Sequence, residues 1–253
     1  MPVPSLLAVF AHPDDESLMA GGVLARQGSA GARTAVVTAT WSADTRRAVE
    51  LAEALHTLGA GKPRMLGYAD SRVPHSAPGR PRFCDVPLDE AVEELVAHVR
   101  DFRPEVVVTH DAHGGLTGHE DHVHTHRVTA LAVHAAGLER LYPDAGAPWQ
   151  PTALYLATHP HAAVEAWAGH LAREGRTMRT VPDERVTATV DVTPWLDQKT
   201  AAVLAHRTEV ARGAAPGLIA ALPLRERQRL LGTEWYTRHD TAPTASAHTE
   251  LLS

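Results

Sequence analysis

A histidine and two adjacent aspartates follow the first apolar run of the chain. Residues 6–10 predict a buried parallel strand, and His12, Asp14 and Asp15 come directly after it. In an open α/β sheet, ligands bind in the crevice beyond the carboxyl ends of the strands. A glycine-rich turn at that place would admit a phosphate, whereas acidic side chains repel phosphate and attract a cation. The stretch therefore predicts a cation site.

A second group of histidines follows another apolar strand, predicted at 105–109. His119 and His122 are three residues apart at the start of a predicted helix, so both side chains share one face. A catalytic zinc site needs three ligands of the His, Asp or Glu type and one open position. His12, Asp15 and His122 meet this requirement if the two strands are neighbours in the sheet. One histidine of the helix can thus bind the metal while the other acts on the substrate.

Asp14 and Asp15 are consecutive, so their side chains point in different directions in regular structure. One carboxylate can bind the cation while the other approaches the attacking water as a general base. A lone aspartate after a strand could equally be a helix N-cap. The pair, preceded by His12 and matched by His119 and His122, favours the catalytic interpretation.

Strands and helices alternate along the chain. Apolar runs predict strands at 6–10, 34–38, 64–66, 105–109, 153–157 and 186–190. Amphipathic patterns and end signals predict helices at 17–27, 44–58, 88–102, about 119–136, 194–207 and 225–231. This alternation predicts an α/β, Rossmann-like fold, in which a mostly parallel sheet carries helices on both faces.

The length of 253 residues and a hydrophobic content of 44% suit one main domain with a smaller C-terminal extension. We place the main domain at 1–210 and the extension at 211–253, with a frayed tail over 241–253. The segments 70–86 and 145–185 are expected to form walls of the substrate pocket. The first is a proline-rich loop, and long loops in compact domains are often functional.

The composition narrows the class of partner. The formal net charge is −6 and charged residues make up 21% of the chain, which gives no basic footprint for nucleic acid or for an anionic membrane. A small neutral or polar substrate is expected. Cys84 is the single cysteine, which excludes an internal disulfide and a cysteine-based zinc site. No signal-peptide or membrane-spanning pattern is present, so we expect a cytoplasmic protein, and a homo-oligomer is compatible with the sequence.

The sequence resembles the zinc-dependent LmbE-like or PIG-L de-N-acetylase family in two motifs. They are Ala11-His12-Pro13-Asp14-Asp15-Glu16 and Gly115-Leu116-Thr117-Gly118-His119-Glu120-Asp121-His122. Two further stretches are similar to family motifs, namely Arg47-Ala48-Val49-Glu50 and Ala205-His206-Arg207-Thr208. The likeness extends to about residue 210, and the first two motifs are specific in combination.

The resemblance implies a hydrolase that removes an N-acetyl group from an N-acetylglucosamine-type sugar conjugate, with Zn²⁺ as the cofactor. It implies His12, Asp15 and His122 as the metal ligands. Asp14 is implied as the general base, which takes a proton from the attacking water and later helps to protonate the leaving amine. Two imidazoles and one carboxylate also suit Fe²⁺ or another divalent metal.

Three further residues receive roles from the resemblance. His119 is implied to stabilise the oxyanion or to act as an acid, and Asp121 to tune the histidines nearby. Arg47 is implied to bind substrate hydroxyls or phosphate. A cation on a surface helix is the alternative interpretation of Arg47.

The sequence departs from the family pattern at three positions. Thr117 stands where some members have a tyrosine, Glu120 where many have a proline, and Glu209 where glutamine is common. None of these departures removes a predicted metal ligand. They leave the substrate open between a mycothiol-type sugar conjugate and an acetylated natural-product intermediate. A mycothiol-conjugate amidase, a metal-dependent phosphoesterase and a non-catalytic sugar-binding protein are the alternative functions.

Overall fold

The computed structural model describes residues 3–165 and 178–242. Its strands are β1 Leu6–Phe10, β2 Thr34–Thr40, β3 Arg64–Tyr68, β4 Val106–His110, β5 Ala153–Thr158, β6 Ala188–Asp191 and β7 Thr233–Asp240. They form one sheet in the order β3-β2-β1-β4-β5-β7-β6. The first five strands, β1 to β5, are parallel to one another. β7 pairs antiparallel with both β5 and β6.

Helices cover both faces of the sheet. They are α1 Asp15–Ser29, α2 Arg46–Thr57, α3 Leu88–Phe102, α4 Glu120–Ala135, α5 His161–Glu165, α6 Leu196–Ala205, α7 Arg207–Arg212, α8 Ala215–Ala221 and α9 Leu224–Leu231. β1 is apolar on both sides and therefore contributes to two cores. One core lies between the sheet and α3 and α4 and contains Leu7 and Val9. The other lies between the sheet and α1, α2 and α6 and contains Leu6, Ala8 and Phe10. The predicted α/β fold with a mostly parallel sheet is confirmed.

The strand order places the carboxyl ends of β1 and β4 side by side. Leu6 pairs with Val106 and Val9 pairs with Thr109, so the two strands end at nearly the same level. The turns that follow them therefore open on one crevice. This arrangement meets the condition under which side chains from both turns share a site.

The C-terminal segment contributes a strand that the sequence pattern does not predict. β7 lies between β5 and β6, so residues 233–240 belong to the sheet. The buried positions of this strand are Glu234 and Tyr236. Because one of them is a charged residue, the sequence lacks the alternation of apolar and polar residues that predicts a strand. Glu234 Oε1 lies 2.7 Å from Lys199 Nζ, which neutralises it. The domain boundary at residue 210 stays a prediction, and residues beyond it add a strand to the main sheet.

The predicted pocket walls are partly regular. Residues 70–86 contain two short 3₁₀ helices. Within the second wall, 145–185, residues 166–177 lie outside the described residues, as do residues 243–253 of the predicted tail. None of the helices within residues 3–165 and 178–242 has the length and hydropathy of a transmembrane span.

Candidate metal centre

The turn after β1 buries three of the residues that the sequence singles out. His12, Asp14 and Asp15 are at most 8% exposed. Asp15 begins α1, and its carboxylate accepts a hydrogen bond of 2.8 Å from the His12 backbone N–H. Asp14 precedes the helix with a φ of 136°, which L-residues rarely adopt. The Asp15 carboxylate contacts His12, whereas that of Asp14 contacts Arg47.

The predicted ligand atoms form a nearly equilateral triangle. His12 Nδ1 lies 3.1 Å from His122 Nε2 and 3.3 Å from Asp15 Oδ2. His122 Nε2 lies 3.3 Å from the same Asp15 oxygen. In a tetrahedral zinc site with bonds of about 2.0–2.1 Å, two ligand atoms are about 3.3 Å apart. The triangle therefore fits a metal ion that binds three side chains and keeps one position open.

The loop before α4 orients His122. Its Nδ1 lies 3.1 Å from the Gly114 carbonyl oxygen, which leaves Nε2 for a metal. Gly114 has a φ of 76°, and a Cβ there would lie 2.9 Å from Val123 Cγ2 and 3.1 Å from His122 Cβ. Glycine at this position lets the loop approach the helix closely enough for this hydrogen bond.

Two carboxylates orient His12 from the other side of its ring. His12 Nε2 lies 3.2 Å from Asp121 Oδ2 and 3.5 Å from Asp70 Oδ2. Asp121 in turn accepts hydrogen bonds from the backbone N–H groups of Ser71, at 2.9 Å, and Cys84, at 3.1 Å. A carboxylate behind a metal-binding histidine fixes the ring orientation and raises the ligand's basicity. Asp121 is therefore placed to tune His12.

Replacing Asp121 by asparagine is expected to weaken metal binding about 10- to 100-fold, the usual cost of losing such an outer partner. The amide lacks the negative charge that faces His12. Calorimetric titration of metal-stripped protein with Zn²⁺ measures the affinity. Asp85→Asn is the matched control, because Asp85 lies in the segment that contacts Asp121 but is exposed and paired with Arg82. Equal affinities in the Asp121 variant and the wild type would contradict the expectation.

The cluster favours a positive charge beside an ionised carboxylate. Burial lowers the pKa of His12, but hydrogen bonds with Asp121 and Asp15 raise it overall, to about 10. Burial raises the pKa of Asp15, yet His122 and His110 hold it well below its usual range. Both effects stabilise positive charge at the triangle, as a cation site requires.

Asp14 faces Arg47 of α2. Arg47 Nη2 lies 3.2 Å from Asp14 Oδ1, and the same guanidinium donates to the Pro13 carbonyl oxygen. Burial raises the pKa of Asp14 to about 7, although Arg47 acts to lower it. A carboxyl group with a pKa near neutrality can both accept and return a proton.

Arg47 is buried, so the interpretation as a surface-helix cation is wrong. Its side chain is 3% exposed and its Nη1 lies 3.4 Å from Glu209 Oε1. The guanidinium also lies over the Trp41 ring, 4.5 Å from its centroid. The sequence motif alone does not reveal this environment, because the partners come from three separate segments. The contact of Arg47 with substrate stays a prediction.

His119 caps the N-terminus of α4. Its Nδ1 accepts a hydrogen bond of 3.2 Å from the Asp121 backbone N–H, so the ring proton of the neutral form lies on Nε2. Burial, together with His12 and His122, lowers the pKa of His119 to about 4. At neutral pH His119 is thus a neutral donor. This state suits stabilisation of an oxyanion better than acid catalysis.

Two buried residues of the cluster are absent from the sequence prediction. Asp70 follows β3 closely and reaches His12, and the strand-end rule applied to β3 would have indicated it. His110 ends β4, its Nε2 lies 3.4 Å from Asp15 Oδ2, and its ring stacks on His122 with centroids 4.0 Å apart. Asp70 and His110 each belong to a further group of side chains whose spacing suits a metal ion. The group with Asp70 also contains His12, His119 and Asp121. The group with His110 also contains Asp15 and His122.

The region around this site is similar in sequence to known proteins. A family model described as PIG-L, GlcNAc-PI de-N-acetylase, matches residues 7–133. A Rhodococcus opacus (strain B4) protein named 1D-myo-inositol 2-acetamido-2-deoxy-alpha-D-glucopyranoside deacetylase is 40% identical over 81% of each chain. A protein of the same name from Mycobacterium leprae (strain Br4923) is 41% identical over 83% of this chain and 82% of its own.

A solved structure shares the fold. N,N'-diacetylchitobiose deacetylase from Pyrococcus horikoshii superimposes with a TM-score of 0.64, at 18% identity, over 94% of this chain and 84% of the other. Both site motifs lie inside the matched residues 7–133. The prediction of a hydrolytic enzyme is confirmed, and the chain belongs to the PIG-L family of de-N-acetylases.

Proposed function

We propose that this protein is a Zn²⁺-dependent N-deacetylase that acts on an N-acetylglucosamine-type sugar conjugate. The observation that carries the proposal is the triangle of His12, Asp15 and His122, which lies at the turn that also holds the buried Asp14. Relatives named as deacetylases of an acetamido-glucopyranoside of inositol support both the reaction and the sugar class. We therefore favour a mycothiol-type substrate over a natural-product intermediate.

The donor set of two imidazoles and one carboxylate suits Zn²⁺ and leaves Fe²⁺ as the alternative. When bound there, the metal supplies Lewis acidity, which polarises the amide carbonyl and makes water more acidic. His12, Asp15 and His122 would hold it. Asp121 and Gly114 would keep the two imidazoles in place through the ring nitrogens that face away from the metal.

Asp14 and His119 divide the proton and charge chemistry. Asp14 takes a proton from the attacking water as the water oxygen bonds to the acetyl carbon. The carbonyl oxygen gains the electron pair, and the His119 Nε2–H donates a hydrogen bond to it. When the carbon–nitrogen bond breaks, Asp14 returns its proton to the nitrogen. The products are acetic acid and a free amine, which account for every atom of one water molecule. At neutral pH the acid gives its proton to the amine or to solvent and becomes acetate.

Replacing Arg47 by glutamine is expected to move the acid limb of kcat to higher pH by about 1 pH unit or more, because an adjacent arginine lowers an aspartate pKa. Asp14 must be ionised to accept a proton, so activity falls as the pH drops through its pKa. Removing the cation raises that pKa and makes the loss begin earlier. The pH dependence of kcat in both proteins measures the effect.

Arg46→Gln is the matched control, because Arg46 is exposed and contacts Glu50 instead. An acid limb that stays in place in the Arg47 variant would contradict the proposed influence on Asp14. If KM rose at the same time, Arg47 would be assigned to substrate binding, as the family resemblance implies.

The test of the function is product analysis with metal-loaded protein. We expect acetate and free amine in equal amounts from N-acetylglucosaminylinositol, with less from free N-acetylglucosamine and none from phosphate esters. No amine from any N-acetyl sugar, with metal bound one to one, would overturn the proposal. Cleavage of a larger mycothiol-conjugate amide alone would indicate the amidase. Release of phosphate would indicate the phosphoesterase, and binding of the sugar without turnover would indicate a non-catalytic sugar-binding protein. A cytoplasmic location and a homo-oligomeric state stay predictions.

A further inference from the structure

The backbone of Asp14 adopts a conformation that needs external support. Its φ of 136° and ψ of −29° lie outside the regions that L-residues favour. Strained residues of this kind persist only where surrounding contacts hold them. Glu16 and His206 provide that support.

Glu16 is fully buried and binds the Asp14 backbone. Its Oε2 accepts a hydrogen bond of 3.0 Å from the Asp14 N–H. Its Oε1 lies 2.9 Å from His206 Nε2 and also accepts from Ser17 Oγ at 2.5 Å. One carboxylate thus connects Asp14 to His206, which follows it by almost two hundred residues.

His206 lies between α6 and α7 and is itself fully buried. Burial opposes a charge on His206, but the Glu16 carboxylate beside it raises its pKa overall. A buried pair of this kind adds little net stability to the fold, because desolvation offsets the attraction, whereas removal of one partner leaves the other unsatisfied. The hydrogen bonds of the two side chains go to the Asp14 backbone, to Ser17 and to each other, not to the ligand atoms of His12, Asp15 and His122.

We propose that His206, acting through Glu16, is a positioning residue that holds Asp14 in the conformation required of the general base. The inference rests on the proposed role of Asp14 in deacetylation. The proposed role of His206 assigns a function to the Ala205-His206-Arg207-Thr208 stretch, which supplies none of the proposed metal ligands. It also assigns Glu16, the last residue of the first motif, to the backbone of Asp14 and not to the metal or the water.

A second set of contacts connects the junction between α6 and α7 to the Asp14 side chain. Glu209, on α7, contacts Arg47, and Arg47 contacts the Asp14 carboxylate. Arg47 also donates to the carbonyl oxygen of Pro13, the residue before Asp14. The junction between α6 and α7 therefore supports both the backbone and the carboxylate of Asp14.

The test compares His206→Leu, which keeps much of the volume but removes the donor, with His206→Gln, which retains an amide N–H near the position of Nε2. For His206→Leu we expect kcat to fall about 10- to 100-fold, as a misplaced catalytic group costs, with KM and bound metal unchanged. His206→Gln should restore part of kcat. Should His206→Leu not yield folded protein, Glu16→Gln serves for the same comparison.

Thr208→Val is the matched control. Thr208 lies on the same junction, and its Oγ1 donates at 2.8 Å to Glu50, which does not contact Asp14. Its kcat should match that of the wild type, because the Thr208 hydroxyl bonds to Glu50 and not to Glu16. Equal losses in the two variants, or loss of metal in His206→Leu, would reduce His206 to a structural role and overturn the proposal.

Crystal structures separate this inference from the proposed function. In His206→Leu, we expect the Asp14 φ to leave the positive region and its carboxylate to leave Arg47. An Asp14 that keeps its φ near 136° in that variant would overturn the inference, whatever the activity. A wild type that releases no amine would overturn the proposed function instead, and the structural comparison would still decide this one.

Discussion

Replacing Asp14 by asparagine is expected to lower kcat by about 10²- to 10⁴-fold, the usual contribution of a general base. The amide has nearly the same shape but accepts no proton from water. Metal binding should persist, because the Asp14 carboxylate faces Arg47 and not the triangle of ligand atoms. Steady-state kinetics and the metal content of the purified variant measure the two quantities together.

Asp197→Asn provides the control for the loss of one carboxylate. Asp197 is exposed in the first turn of α6, far along the chain from the site motifs, and its variant should behave as the wild type does. Unchanged turnover in Asp14→Asn would remove Asp14 from the role of base. Loss of metal from that variant would make Asp14 a ligand and would require a different base.

Replacing His122 by alanine is expected to weaken metal binding by more than about 100-fold. Loss of a residue that only orients a ligand already weakens metal binding about 10- to 100-fold. The variant loses one of three protein ligands, and its remaining pair, His12 and Asp15, cannot complete a tetrahedral site. Activity at micromolar zinc should disappear and should not return at high zinc without the imidazole. Metal titration and activity across a zinc series measure this outcome.

His134→Ala is the matched control, since His134 lies on the same helix but is exposed. Its metal affinity and activity should match those of the wild type. If His122→Ala kept tight metal binding, the ion would lie elsewhere in the histidine cluster. His110, which contacts Asp15 and stacks on His122, would then be the first replacement ligand to examine.

The sequence predicts the principal feature of the site because that feature depends on local order. An apolar strand followed by His12 and Asp15, and a helix start with His122, both belong to short contiguous motifs. The strand-end rule then requires only that β1 and β4 be neighbours, which the alternation of strands and helices makes natural. The parallel part of the sheet is predictable for the same reason.

What the sequence does not predict depends on contacts between distant segments. Glu16 and His206 meet across almost two hundred residues, and no spacing rule joins them. Arg47 has the pattern of a helix-surface arginine until Glu209 and Asp14 surround it. β7 escapes prediction because its buried glutamate needs a lysine from α6 to become compatible with the interior.

Anomalous diffraction at the zinc edge, from crystals of metal-loaded protein, tests the central claim most directly. We predict one peak, about 2.0–2.1 Å from His12 Nδ1, His122 Nε2 and an Asp15 oxygen. A peak on the Nε2 side of the His12 ring, beside Asp70 and Asp121, would contradict the assignment of the metal centre. So would the lack of a peak in protein that deacetylates a sugar substrate.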